Sequence, residues 1–437
     1  MIIALLSLSL LGIFCFITSR NLGIKSVFFL VPFFTASIIG FWGNPFIFLL
    51  FILIGAAGRL FQSRRVYALR SAYSVLVVFC FYMVIRMLVG LSVESGIKTS
   101  DIVIISIFML IPVVALILAS QLRNFDVRGD CLIPITLGSG LYYLLIAIFY
   151  AKNLFGTVLE TQGFPRLVGI GGTHPAYTTA LVPVVISGSL FLMVDNLAKR
   201  RVHALLSLIA ATIVMVLSAS RASLVSGTLA WVLIMLVLKP WFIRRTFRLV
   251  TIVTLVAGLG FFVVGPEQVR HFRSVFEGDP EHRVIIYPAA VEVARANLLF
   301  GLGNIDYFRA YAPPIIEKYA DHMKPGYSRL IWLYLDRNSL NVSSTILWLL
   351  VNGGLLAVIL FVCLILATTR RLLRAIRAAP EKDRLAWASL MVGWVIFLLH
   401  LSIIEGIAHP FLWIMIILSL SRRFGGAERA RRALEEA

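Results

Sequence analysis

The sequence predicts an all-α, polytopic integral membrane bundle of about 12–13 transmembrane helices with one long loop on its outer face. Three observations predict it. Of 437 residues, 60% are apolar and only 14% charged, whereas a soluble domain carries about a quarter charged residues. Apolar stretches recur from Met1 to Ser421 with one long polar interruption. The basic residues collect in the short connections between them. A formal net charge of +19 therefore does not indicate nucleic acid, whose binding needs a basic face on a soluble module. Cys15, Cys80, Cys131 and Cys363 show no paired spacing, so neither a disulfide framework nor a zinc site is expected.

A helix satisfies its own backbone in lipid and crosses in about 20 apolar residues. On that basis the spans fall at 2–18, 26–41, 45–58, 72–92, 102–120, 132–151, 176–196, 202–218, 222–238, 249–265, 345–368, 385–405 and 408–421. The first lacks a basic leader region and reads as a retained span. The second and third flank Gly43, Asn44 and Pro45 and resemble a tight hairpin of partial spans, which decides between 12 and 13.

Short basic loops stay in the cytoplasm. Arg59, Arg64, Arg65 and Arg70 form one, Lys199 to Arg201 a second, Lys239 to Arg248 a third, and Arg370 to Arg384 a fourth. The segment 266–342 holds nine Lys+Arg against nine Asp+Glu, so it is neutral and is placed outside. The organisation is thus an N-terminal bundle (1–265), an outer-side loop forming a lid or cleft wall (266–342), C-terminal spans (343–421) and a cytoplasmic tail (422–437). Within the loop, 284–299 has helical apolar spacing and 330–335 is a second apolar patch, both suited to lying on the membrane face.

Arg221 stands in Leu-Ser-Ala-Ser-Arg-Ala-Ser (217–223), between two spans with almost no loop. A cation on the side that the charge rule disfavours calls for an anionic partner such as phosphate, against the alternative of a snorkelling turn arginine. Arg283 opens the first loop helix, and its planar fork suits phosphate oxygens. Arg86, inside its span in Tyr-Met-Val-Ile-Arg-Met-Leu-Val, either joins the site or pairs with Glu94 or Asp101. His174 follows a glycine cluster in Gly-Ile-Gly-Gly-Thr-His-Pro (169–175), where backbone can approach a ligand. No histidine pair has zinc spacing and no nucleotide-binding glycine pattern occurs, so no metal and no cofactor are expected. The energy for any reaction then comes from the substrate itself.

Four pieces together resemble a known family: Gly-Gly-Thr-His-Pro (171–175), Ser-Ala-Ser-Arg-Ala-Ser-Leu (218–224), Arg283-Val-Ile-Ile-Tyr followed by Leu-Leu-Phe-Gly-Leu-Gly (298–303), and Asn-Gly-Gly-Leu-Leu-Ala (352–357). In that order the chain is similar to the bacterial O-antigen ligase and Wzy-type polysaccharide polymerase superfamily over residues 165–420. The resemblance implies a multi-pass protein of the bacterial inner membrane. Such a protein transfers a glycan from undecaprenyl diphosphate to a sugar hydroxyl at a periplasmic active site, without metal or nucleotide sugar. Partners so implied are the lipid-linked donor, a glycan or lipid A core acceptor, membrane lipids and a chain-length regulator, with no nucleic acid. Ser343 and Ser344 stand where ligases of the family carry a histidine, which shifts the expectation from ligase toward polymerase.

Joined to that chemistry, Arg221 and Arg283 stabilise the departing diphosphate. His174 is the preferred proton acceptor, with Glu160, Asp336, His282 and Glu405 as others. Arg86, Tyr177, Tyr287, Asp336 and Asn341 complete the expected substrate-binding set; the tyrosines serve either sugar stacking or interfacial anchoring. A lipid-linked glycan flippase is the competing expectation. It predicts charges along a central cavity and internal symmetry, not a long amphiphilic outer loop beside arginines at one membrane face, and no inverted repeat is evident in the sequence.

Overall fold

The computed structural model describes residues 2–35, 43–63, 72–93, 99–121, 125–161, 164–170, 174–194, 198–218, 220–238, 283–303, 305–320, 342, 344–404 and 406–420. Its helices are α1 (Ile2–Thr18), α2 (Arg20–Leu30), α3 (Gly43–Ser63), α4 (Ala72–Val93), α5 (Thr99–Gln121), α6 (Ile133–Ala151), α7 (Pro175–Thr178), α8 (Val182–Val194), α9 (Ala198–Leu217) and α10 (Arg221–Leu238). They are followed by α11 (Arg283–Arg295), α12 (Ile305–Ala320), α13 (Thr345–Ala378), α14 (Glu381–Ser402) and α15 (Pro410–Leu420). Among the described residues six helices are long and apolar enough to cross a membrane, and five further apolar helices are 10–17 residues long. The span expected at 249–265 lies outside the described residues. The protein is an all-α polytopic membrane bundle; one short hairpin, β1 (Val158–Thr161) with β2 (Phe164–Leu167), pairs Val158 with Leu167 and Thr161 with Phe164.

Two groups of helices build the bundle. α1, α2, α3 and α5 pack together, and Phe34 of the Val31–Thr35 turn lies against Phe48 and Phe51 of α3, the rings 5.0–5.6 Å apart. α6, α9, α10 and α14 surround α8, which is buried from Val182 to Leu192 and is accordingly apolar on every side. α4 and α13 join the two groups, with Phe79, Phe108, Phe361 and Trp413 at the junction. Leu10, Phe14, Leu88 and Leu236 are more than half exposed. Such side chains would be a liability in water and are the natural contact with lipid tails.

The two ends of the bundle differ chemically. At one end Arg128 pairs with Asp383 at 3.7 Å and Lys25 with Asp130 at 3.8 Å. Asp126 caps the π-helical turn Val127–Leu132 there by accepting the N–H groups of Arg128 and Gly129. The opposite end gathers the start of α13, the end of α14, α7 and the start of α10. Thr345 bonds Ile404 O at 2.8 Å through its N–H, and the Ser344 hydroxyl donates to Ser402 O at 2.9 Å.

In the long loop, the helix expected at 284–299 ends at Arg295, and a non-helical turn occupies the remainder. α12 was not anticipated, because Pro313 and Pro314 sit inside it and proline is read as a breaker. Its Ala312 and Ile316 are buried, and burial of that stripe against α11 and α13 carries the helix through. The patch at 330–335 lies outside the described residues.

Candidate functional site

The serine-rich stretch forms a capped helix start. The backbone of α10 begins at Arg221, and Ser220 Oγ accepts the Ser223 N–H at 3.4 Å while Ser220 O accepts the Leu224 N–H at 3.0 Å. That is the N-cap arrangement that serine favours. Because the first N–H groups of a helix lack intrahelical partners and sit at the positive end of its dipole, a cation there is disfavoured unless an anion joins it. Arg283 likewise opens α11 as its first residue. Both arginines that the sequence assigns to the departing diphosphate thus occupy helix starts, where anions bind.

His174 is exposed and caps α7, its Nδ1 accepting the Ala176 N–H at 3.2 Å. With Nδ1 used as an acceptor, the neutral ring carries its proton on Nε2. The α7 turn is then tied to α10 in two ways. Thr179 Oγ1 and Ser223 Oγ are in hydrogen-bond contact. Between the two helices lies the fully buried His400 of α14, its Nε2 2.6 Å from Ala176 O and its Nδ1 2.9 Å from Ser226 Oγ. The Tyr143 hydroxyl adds a bond to Thr178 O at 3.4 Å. The segments that carry His174 and Arg221, 47 positions apart (221 − 174), are therefore neighbours in the fold.

The two glycine motifs interlock as well. Gly354 has φ 66° and ψ −168°, which breaks α13. In a regular helix Leu355 N–H would bond Val351 O, and Leu356 N–H would bond Asn352 O. Here all four groups turn outward to the 298–303 segment. Leu355 and Leu356 donate to Leu298 O and Leu299 O at 2.8 and 3.3 Å, while Val351 O and Asn352 O accept from Leu302 and Gly303 at 2.7 and 2.8 Å. Gly301 (φ 71°) and Gly303 (φ 84°) supply the reverse curvature. A Cβ on Gly90 would meet Gly303 C at 2.7 Å, so α4 and the turn touch backbone to backbone. Gly354 lies nine residues (354 − 345) beyond the start of α13, which is about 13 Å at 1.5 Å per residue. Irregular backbone at such depth in a membrane requires this complete pairing.

Arg86 completes the lock. Its Nη2 donates to Gly301 O at 2.7 Å. The Tyr82 hydroxyl donates to Gly353 O at 2.7 Å, with Phe300 O at 3.3 Å. Arg86 thus bonds a backbone carbonyl, and Glu94, one of its two expected partners, lies outside the described residues.

Tyr177 is buried, its ring 5.1 Å from that of His409, which makes it interior packing in this structure and not an open platform for a sugar. Tyr287 is half-buried against the core. Asp336, Asn341, His282 and Glu405 lie outside the described residues. α11, which Arg283 opens, packs on α12 and α13, while α10, which Arg221 opens, packs on α7, α8, α9 and α14. His400 was missed by the sequence reading. The available signal was an ionisable residue in the last turn of an apolar span, which is a functional hypothesis by default.

Fold and site together define a polytopic, helical membrane protein in which two helices, α10 and α11, each begin with an arginine. Residues 205–362, from α9 through the interlocked turn to α13, match a family model described as O-antigen ligase. That match supports the O-antigen ligase/Wzy-type superfamily. No curated protein matches the chain.

Proposed function

We propose that the protein is a glycosyltransferase that moves a glycan from a lipid diphosphate, undecaprenyl diphosphate in a bacterial inner membrane, to a sugar hydroxyl at the periplasmic face. The observation that carries this reading is the hydrogen-bonded junction of the α7 turn with the Arg221 start of α10. It puts a histidine and a helix-start arginine beside each other at the end of the bundle opposite Lys25, Arg128 and the exposed Arg370, Arg374 and Arg377. Basic residues mark the cytoplasmic side, so the junction belongs to the outer face.

The acceptor oxygen attacks the anomeric carbon, the bond from that carbon to the diphosphate oxygen breaks, and its electron pair leaves with the lipid diphosphate. The acceptor proton passes to a base or to the departing phosphate. Arg221 and Arg283 meet the charge that builds on the leaving group, which in a partly dry site is worth far more than in water. His174 takes a different part from the base expected of it. Its Nδ1 lone pair is engaged by Ala176 N–H, so the ring offers Nε2–H as a donor to a phosphate oxygen, and protonating Nδ1 would cost the α7 cap.

A polymerase is the preferred form, because Ser344, at the position where family ligases carry a histidine, serves as the cap of α13. The ligase form is favoured by the description of the matched family model. Purified protein given lipid-linked repeat units, with and without lipid A core, separates the two. A ladder of lengthened glycan identifies a polymerase and glycan on lipid A core a ligase; intact starting material in both reactions contradicts the proposal.

A further inference from the structure

We infer that His400 is a positioning residue for glycan transfer: its neutral ring clamps the α7 turn to the first turns of α10 and so fixes His174 relative to Arg221. The inference rests on the transfer reading above. A carbonyl oxygen only accepts, so the 2.6 Å contact with Ala176 O assigns the ring proton to Nε2. The neutral ring has a single N–H, and Nδ1 therefore accepts from the Ser226 hydroxyl at 2.9 Å. The clamp thus has a direction, running from Ser226 O–H to Nδ1 and from Nε2–H to Ala176 O. Each end lies close to a residue of the proposed chemistry. Ala176 donates its N–H to His174, and Ser226 sits five positions (226 − 221) along α10 from Arg221, with Ser223 O also 3.2 Å from its hydroxyl.

His400 is fully buried, and α14 packs on both α8 and α10. The ring therefore refers two turns at the end of the bundle to its deeply packed interior. An apolar ring at this place would remove the shorter bond to Ala176 O, leaving it the Thr179 hydroxyl of its own turn at 3.3 Å, and free Ser226 to bond Ser223 O. Of the two ties between the turns, the contact of Thr179 with Ser223 would then remain, and small displacements of catalytic groups reduce rates steeply.

The test uses full-length protein reconstituted in lipid, with four variants: His400→Phe, His400→Gln, His400→Asn and Ser226→Ala. Transfer of lipid-linked glycan, Tm and hydrogen exchange of the segments 174–182 and 220–228 are measured on each. His400→Phe should lower kcat by about 10- to 100-fold with little change in KM, and amides in both segments should exchange faster. His400→Gln restores the donor to Ala176 O and His400→Asn the acceptor for Ser226, so each should recover part of the lost rate and slow exchange in its own segment. The Ser226→Ala, His400→Phe double variant should be no slower than His400→Phe. Unchanged kcat in folded His400→Phe, losses that multiply in the double variant, or no recovery by Gln and Asn would each overturn the inference. If His400→Phe fails to fold, the Gln and Asn variants decide by their separate exchange patterns. Wild-type protein that transfers no glycan would end the functional reading. In that case faster exchange in both segments of His400→Phe would still establish the clamp, and unchanged exchange would refute it.

Discussion

The guanidinium of Arg86 holds the carbonyl of Gly301 at 2.7 Å, joining α4 to a turn 215 residues further along the chain. That bond closes a joint in which the broken α13 and the 298–303 segment exchange four backbone hydrogen bonds. The segment that follows α11 is therefore anchored to the bundle through α13 and α4.

Arg86→Ala should loosen this joint. A hydrogen bond to a charged group is worth about 1.5–3 kcal/mol, so a lower Tm and a reduced transfer rate are expected. Arg86→Lys should recover only part of either, since a point charge replaces a planar fork. A Tm equal to wild type in Arg86→Ala would show that the bond carries no stability.

Gly354→Ala should be worse. At φ 66° an L side chain is strained by about 1–2 kcal/mol, and its Cβ would also run into Leu299 O and Gly301 N. Expression in the membrane should fall and proteolysis near 296–303 should rise. Gly353→Ala needs no positive φ, and its Cβ would meet Ala357 Cβ and Met83 Sδ instead of loop backbone, so it should be milder. Equal yields of the two variants would contradict the interlock.

Ser220→Ala removes the acceptor that caps α10, a loss of about 1 kcal/mol. Ser220→Asp keeps the cap but brings a negative charge next to Arg221. The prediction is near-normal stability with weakened donor affinity for Ser220→Asp, read as a raised KM for the lipid-linked glycan, and the reverse pattern for Ser220→Ala.

Arg221→Ala and Arg283→Ala should each lower transfer by about 10²–10³-fold, the cost typical of losing one preorganised group that stabilises a developing anion. Both variants should remain in the membrane at wild-type levels. Normal product from either would remove that arginine from the reaction.

Much of this architecture was legible in the sequence, because a membrane enforces it. Apolar length marked α4, α5, α6, α13 and α14, and the near-absence of a loop before Arg221 placed that residue at a helix start. The glycine motifs were visible as strings but not as partners, since nothing local shows that Gly301 and Gly354 meet. α12 was hidden by Pro313 and Pro314, whose local preference is overridden by burial of Ala312 and Ile316. His400 escaped notice because the carbonyl and hydroxyl it joins come from helices distant in sequence. The acceptor role of His174 Nδ1 depends on one backbone N–H two residues on, a capping geometry that histidine does not advertise.

The central claim is that cations at the starts of α10 and α11 hold a lipid diphosphate. Its most direct test is equilibrium binding of sugar-free undecaprenyl diphosphate to the reconstituted protein, for wild type, Arg221→Ala and Arg283→Ala. Saturable binding that weakens at least tenfold in both variants, about 1.4 kcal/mol for each factor of ten, is the predicted result. Equal affinity in all three proteins would contradict the account.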